Sequence, residues 1–214
     1  MLGSSLPLMS SDGLLAGADG RQRCAWAGEA EDYVTYHDTE WGRPTTDERA
    51  LFEKLCLEGF QSGLSWITIL RKREAFREVF AGFDPERVAA YGEGDVERLL
   101  TDARIIRHRG KIEATIGNAR ALLALHGQGD SLTRVMWSAE PTEHPAPRRV
   151  EDVPAVTDGS VTLSRTLKRL GFRFVGPTTA YAAMQAMGIV DDHMVGCWRR
   201  EPCLAERAAT QVPG

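Results

Sequence analysis

The stretch LKRLGFRFVGPTTAYAAMQAMGIVDDH, residues 167–193, decides the architecture. It ends a basic helix, SVTLSRTLKRLG, at Gly171, and it resumes at Pro177, which takes the first turn of a second helix, PTTAYAAMQAMG, running to Gly188. Two helices joined by a turn with glycines at 171 and 176 read as a helix–hairpin–helix. Gly176 lets the backbone come close to a phosphate, and free N–H groups in the first turn of the next helix, where Thr178 and Thr179 lie, point toward it. The glycine spacing alone is a weak signal. The adjacent basic helix and the run Asp191-Asp192-His193 strengthen it.

Helical periodicity continues outward from this segment. Lys111 to Leu125 is a long amphipathic helix, with Ile112, Ile116, Ala119, Leu123 and Leu125 at helical spacing. Asp84-Pro85 opens the short helix DPERVAAYG, and Asp95 opens DVERLLTDA. The first strong helix spans Asp47 to Leu57, with Thr45 as N-cap, Glu48 as its capping-box partner and Leu51, Phe52 and Leu55 on its apolar stripe. LSWITILRKREAFREVF reads as one further helix that buries Ile67, Leu70, Phe76, Val79 and Phe80, and a last helix contains DDHMVGCWR. Residues 138–160 are polar and proline-rich, a surface excursion between lobes. Strand-like alternation is almost absent. The expectation is an all-α fold of two helical lobes around a cleft: a single domain over residues 21–200, a flexible tail over 1–20 and a frayed tail over 201–214.

Composition narrows the function classes. No apolar run approaches the ~20 residues that cross a bilayer, and the N-terminus lacks the basic and apolar regions of a secretory signal, so a cytoplasmic protein is expected. The net charge of −4 argues mildly against a nucleic-acid partner, but it conceals local basic stretches. One holds Arg98, Arg104, Arg107, Arg109, Lys111 and Arg120; another holds Arg165, Lys168, Arg169 and Arg173 with no acid among them. Solvated helix faces are the plainer explanation of both.

Two constellations carry chemistry. Cys24, His37, His193 and Cys197 form a possible tetrahedral set: His193 and Cys197 stand four apart, on one face if helical, and Cys24 and His37 add the same pair of residue types near the other end. Zinc suits that mixture, and four protein ligands would make it structural, stapling the termini; scattered core Cys and His residues are the alternative. The second is an aromatic cluster, Trp26, Tyr33, Tyr36, Trp41 and Trp66, with Glu58 among them. Flat rings are what a flipped nucleobase needs on its faces, and a carboxylate there favours a cationic purine; core aromatics with a solvated Glu are the alternative.

At this point the chain resembles the bacterial DNA-3-methyladenine glycosylase I family, the constitutive branch of the helix–hairpin–helix glycosylase superfamily. The similarity runs from RCAW at Arg23 through YHDTEWG, LCLEGFQSGLSWITIL, IIRHRGKI, LKRLGFRFVG and DDHMVGCW, ending at Trp198. The resemblance implies a monofunctional enzyme of base excision repair, bacterial and monomeric, that hydrolyses the N-glycosidic bond of 3-methyladenine in alkylated double-stranded DNA. It would release the free base and leave an abasic site, with structural zinc and no organic cofactor. By the same resemblance Cys24, His37, His193 and Cys197 are the zinc ligands; Glu58, Tyr36 and Trp66 hold the base with Trp26, Tyr33 and Trp41 around them; Gly63 and Leu64 fill the gap left in the duplex; and Gly171 to Pro177 bind phosphate. The family carries Asn where this chain has Asp191, the position of the superfamily's catalytic Asp, so Asp191 is either a benign variant or a support for the oxocarbenium ion. Arg109 and Lys111, with Arg107, are expected on phosphates, while Lys54, Lys72 and Lys168 read as helix-face or backbone-contacting charges, none suited to Schiff-base strand cleavage. The rival readings are a non-catalytic helix–hairpin–helix DNA-binding module, a zinc-stapled interaction domain and a glycosylase for another lesion.

Overall fold

The computed structural model describes residues 13–212, and among them the chain is helical apart from one small hairpin. That hairpin corrects the expectation of a tail through residue 20. β1 (Leu14–Ala16) pairs antiparallel with β2 (Gln22–Cys24), setting Leu14 opposite Cys24, and Arg23 ties it down through Asp19 and Asp38. The rest of the expected tail, residues 1–12, lies outside the described residues.

Eleven helices follow among the described residues: α1 (Glu31–Thr39), α2 (Glu48–Gln61), α3 (Trp66–Leu70), α4 (Arg73–Val79), α5 (Pro85–Ala89), α6 (Glu93–Thr101), α7 (Arg109–Gly127), α8 (Leu132–Trp137), α9 (Asp158–Arg169), α10 (Pro177–Ala186) and α11 (Arg200–Ala209). The start of α2 differs from expectation. Asp47 is its N-cap, accepting from the Ala50 N–H, which frees Glu48 to accept from Leu132 N–H at the start of α8 and to meet His126. The single helix expected over 64–80 is broken between α3 and α4. Lys72 at the break reaches the carbonyls of Ala103 and Arg104, so a tertiary contact stops the run. Asp84 caps α5 as expected, accepting from Glu86 and Arg87 N–H groups with Pro85 in the first turn.

Two further corrections concern the C-terminal end. DDHMVGCWR is not helical: residues 189–199 form turns, with Cys197 N–H donating to Met194 O. Helical spacing is therefore not what relates His193 to Cys197. Residues 201–209, expected to fray, belong to α11, which buries Cys203 and holds ion pairs from Arg207 to Glu140 and from Glu206 to Arg43. The excursion at 138–157 is irregular, as its prolines dictate, with one short 3-10 turn at Val150–Asp152.

Beside a smaller cluster around Cys24, Met194 and Cys197, the main core is an apolar cluster that both halves of the chain share. Ile112, Ile116, Ala119 and Leu122 of α7 form its spine. Phe60, Phe76, Phe80 and Phe83 fill one end with ring centroids 4.6–6.3 Å apart, geometry in which each ring removes its full apolar area from water. Leu163, Leu167, Ala180 and Met184 bring α9 and α10 onto the other end. This packs α10 against α2, and the cleft opens between α2 and the C-terminal half of α10, where Ala182 and Gln185 lie.

Candidate active site

A cavity of about 240 Å³ lies where α1, α2 and α3 meet α10, and all six residues expected to hold a base line it: Trp26, Tyr33, Tyr36, Trp41, Glu58 and Trp66. Trp26 stands at the centre of the wall, edge-on to Tyr33 at 5.2 Å and to Trp41 at 4.9 Å, and Tyr36 tilts against Trp66 at 5.4 Å. Packed edge to face, these rings hold one another in place around the cavity they line. Glu58 comes from the third turn of α2, 5% exposed, and the indole N–H of Trp66 is buried without an acceptor in the protein. A carboxylate among aromatic faces attracts a planar cation more strongly than a neutral ring of equal size.

Four features of this cavity were not read from the sequence. Gln61, three residues after Glu58 on α2, lines it as well. From α10 and the following turn come Gln185 and Asp192. Asp192 is a hub: it accepts from Tyr181 OH and Gln185 Nε2 at 2.7 Å each, and His144 of the proline-rich excursion lies 2.7 Å from its other oxygen. Burial opposes ionisation there, but those hydrogen bonds hold the Asp192 carboxyl below its ordinary value. Tyr181 and Gln185, polar residues four apart in an otherwise apolar helix, were the available signal. The fourth feature is Lys54. Read as a helix-face charge, it is instead largely enclosed behind the cavity wall: its Nζ lies 3.0 Å from Glu58, donates to Tyr36 OH at 2.6 Å and sits 3.2 Å over the Trp66 ring.

Asp191, the other carboxylate considered for chemistry, is placed elsewhere. It does not line the cavity; its Oδ1 accepts from the N–H and Nδ1 of His193, and its Oδ2 is 3.4 Å from Arg200. In this position Asp191 orients the His193 ring.

Three of the four candidate metal ligands, Cys24, His37 and Cys197, are buried with ligand atoms all within 4.8 Å of one another. The hydrogen bond between Cys24 and Cys197 holds the Cys197 thiol well below its ordinary value, with His37 adding to the effect, and pushes Cys24 up. His193 stands beside this trio, its ring 5.2 Å from that of His37, and Gly42 is required there, since a Cβ would come within 2.4 Å of the His193 ring. Both histidines carry a carboxylate on Nδ1, Asp38 at 2.8 Å and Asp191 at 2.7 Å, and the Nε2 of His193 is buried without a partner. A carboxylate on one ring nitrogen fixes the tautomer and leaves the other as an electron-pair donor.

The expected DNA-contacting residues divide. Arg109 is surrounded by Glu93, Glu97 and Glu113, and Lys111 donates to the carbonyls of Phe60 and Ser62 at 2.9 and 2.6 Å, so neither is free for a phosphate; both expectations are corrected. Lys111 instead closes the carbonyl end of α2 and braces the turn that carries Gly63, at φ +81°, and Leu64, an exposed apolar side chain beside the cavity. Arg98, Arg104 and Arg120 are likewise engaged by acids or carbonyls. Arg107, Arg165, Lys168, Arg169 and Arg173 are exposed and make no ion pair among the described residues. The hairpin they flank, from Gly171 to Gly176, is pinned by Asn118, which accepts from Arg173 N–H and donates to its carbonyl, and by Ser164, which donates to Val175 O. Gly176 has an ordinary φ of −62° and a Cβ there would meet nothing within 4 Å, so neither backbone nor core requires glycine at this position. Beyond it the first turn of α10, with Thr178 and Thr179, has no side-chain cap.

A family model described as methyladenine glycosylase matches residues 26–200. The chain belongs to the methyladenine glycosylase family. Within that family it is 51% identical over 179 residues to DNA-3-methyladenine glycosylase 1 of Escherichia coli (strain K12), covering 82% of this chain and 95% of the relative. It is 46% identical to DNA-3-methyladenine glycosylase of Haemophilus influenzae over 184 residues, 85% of this chain and 97% of the other. A crystal structure of 3-methyladenine DNA glycosylase I superposes with a TM-score of 0.81 at 50% identity, over 83% and 98% of the two chains. A variant of 3-methyladenine DNA glycosylase I, solved in complex with 3-methyladenine, superposes with a TM-score of 0.79 at 36% identity over 83% and 97%.

Proposed function

We infer that this member of the family is a hydrolase of N-glycosyl bonds that excises 3-methyladenine from alkylated duplex DNA, releasing the free base and leaving an abasic site. The observation that carries the reading is the buried Glu58 carboxylate opening into a cavity walled by aromatic rings. Methylation at N3 makes adenine cationic and weakens its bond to the sugar, so the base leaves without a general acid. What remains for the protein is to extrude the base, hold it and leave water access to C1′. Glu58 accepts from the amino edge of the extruded base while the faces of Trp26, Tyr36 and Trp66 stack near it; an unmethylated adenine lacks the charge that this electrostatic grip rewards. Tyr33 and Trp41 close the rim. Leu64, on its turn at Gly63, fills the space vacated in the duplex. The hairpin with Gly171 and Gly176, the first turn of α10 and the free cations Arg107, Arg165, Lys168 and Arg173 take phosphates. No lysine lines the cavity among the described residues: Lys54 stands behind the Tyr36–Trp66 wall and Lys111 is tied to the carbonyls of Phe60 and Ser62, which supports hydrolysis without strand cleavage.

The donor set Cys24, His37, Cys197 and His193 fits a structural zinc ion: two thiols, two imidazoles whose second nitrogens are held by carboxylates, and an orphaned Nε2 on His193. Bound there, zinc would supply a cross-link between β2 and the 193–197 turn and no catalytic chemistry.

The test is chromatographic release of base from methylated duplex DNA. Wild-type protein is expected to release 3-methyladenine, and Glu58→Ala much less; equal release by the two would remove Glu58 from the mechanism, and no release by folded wild type would overturn the activity.

A further inference from the structure

The base cavity has a second cavity behind it. This one, about 280 Å³, is lined by Tyr36, Glu40, Glu53, Lys54, Trp66 and Arg73 among others, so Tyr36 and Trp66 form a partition shared by both. Lys54 is embedded in that partition. One side chain touches each of the three residues that define the base site from behind: its ammonium lies against the Glu58 carboxylate at 3.0 Å, donates to the Tyr36 hydroxyl at 2.6 Å and stacks on Trp66 at 3.2 Å, with only 14% of the side chain exposed. An i,i+4 pair on a solvated helix face would be worth little; one enclosed by two aromatic rings is held in one geometry, because every partner loses a charge-assisted contact if it moves.

We propose that Lys54 is a positioning residue of the base site, whose ammonium holds the Glu58 carboxylate, the Tyr36 phenol and the Trp66 ring in the arrangement that receives the extruded base. The proposal rests on the reading of Glu58 as the base-binding carboxylate. Lys54 does not touch the base. It acts through the groups that do, and only while it carries a proton.

That protonation lies within experimental reach. Burial pulls the Lys54 ammonium down to about 8 against the opposing pull of Glu58 and Glu40. The groups facing it are Tyr36 and Glu40 at the end of α1, Glu58 on its own helix, Trp66 on α3 and Arg73 on α4, while Glu53 and Arg77, paired with each other, line the same cavity. Tyr36 is pushed well above the usual phenol value, first by burial and then by Glu58, so it keeps its proton. Burial opposes ionisation of Glu40, but the hydrogen bond and charge of Arg73 hold its carboxyl low, so it stays charged throughout. An alkaline limb near 8 that Lys54→Met removes therefore belongs to Lys54.

The experiment measures kcat/KM for 3-methyladenine release from methylated duplex DNA between pH 6.5 and about 9.5 for wild type, Lys54→Met, Lys54→Arg and Glu58→Ala. Wild type is expected to lose about tenfold through a single inflexion near 8, the size of one charge-assisted contact. Lys54→Met is expected to sit near that lower level throughout with no inflexion, and Lys54→Arg, whose guanidinium keeps its charge, to abolish or raise the inflexion while retaining more activity. A Lys54→Met enzyme with wild-type kcat/KM, or one that is slower but keeps the inflexion near 8, overturns the proposal. Should Lys54→Met fail to fold, the wild-type profile and Lys54→Arg decide alone: no inflexion in wild type, or an unmoved one in Lys54→Arg, overturns it equally. Full activity of Glu58→Ala would instead overturn the reading beneath it, whatever the lysine variants do.

Discussion

At the scale of single residues, two adjacent carboxylates separate by what they touch. Asp191 faces His193 and Arg200, and Asp192 faces the cavity through its contacts with Tyr181 and Gln185. Asp191→Asn is expected to leave the single-turnover rate of base release within about twofold of wild type and to weaken metal binding about tenfold or more, since Asn holds the imidazole less firmly; a large rate loss with unchanged metal affinity would return Asp191 to the chemistry. Glu58→Gln keeps the shape of the site and removes its charge. Base release is expected to fall about a hundredfold, in the range found when a preorganised electrostatic group is lost. Asp192 also sets an acid limit: its carboxyl is held below the ordinary 3.8, so the stabilisation it gives is fully present above that value and disappears as pH falls through its lower folded value. His144→Ala is expected to narrow that margin in acid-unfolding measurements.

At the scale of elements, the hairpin and its neighbours predict a division of labour among cations that look alike in the sequence. Lys168→Ala and Arg173→Ala are each expected to weaken DNA binding and reduce the slope of log affinity against log salt by about one, whereas Arg109→Ala, already neutralised by three glutamates, is expected to leave the slope unchanged. Fluorescence anisotropy across a salt series reads this directly. The same contrast shows what the sequence could tell and what it could not. α7, α9 and α10 were legible because apolar periodicity, Pro177 and Gly171 act locally. The six cavity residues were legible because aromatic side chains crowd a short segment and Glu58, beside Gly59, falls among them. Lys54 was not, because an i,i+4 Lys–Glu pair is written identically on a solvated face and in a partition between two cavities; only the rings of Tyr36 and Trp66, brought in by other helices, bury it. Arg109 and Lys111 were misread for the same reason, as their partners come from α6 and from the end of α2. The split of α3 from α4 depends on carbonyls about thirty residues away from Lys72, beyond any local pattern.

At the scale of the whole molecule, no helix among the described residues is long and apolar enough to cross a membrane, and the helices share one core with the site at its edge. Zinc is expected to bind one ion per chain, measured by elemental analysis, and its removal by a chelator to lower the melting temperature by several degrees while Cys197→Ser abolishes binding. A further consequence follows from how the ends meet. Trp198 N–H donates to Gln22 O and Cys24 lies against Cys197, so the beginning and the end of the fold are neighbours in space although they are far apart along the chain. Such a molecule can be permuted. A version opened at the exposed turn around Gly129 between α7 and α8, with a linker long enough to run from beyond α11 back to the β1 hairpin, is expected to keep the helices and the cleft. The most distant contact in the chain would become one of its most local, so the permutant would close its metal-ligand cluster early in folding instead of late.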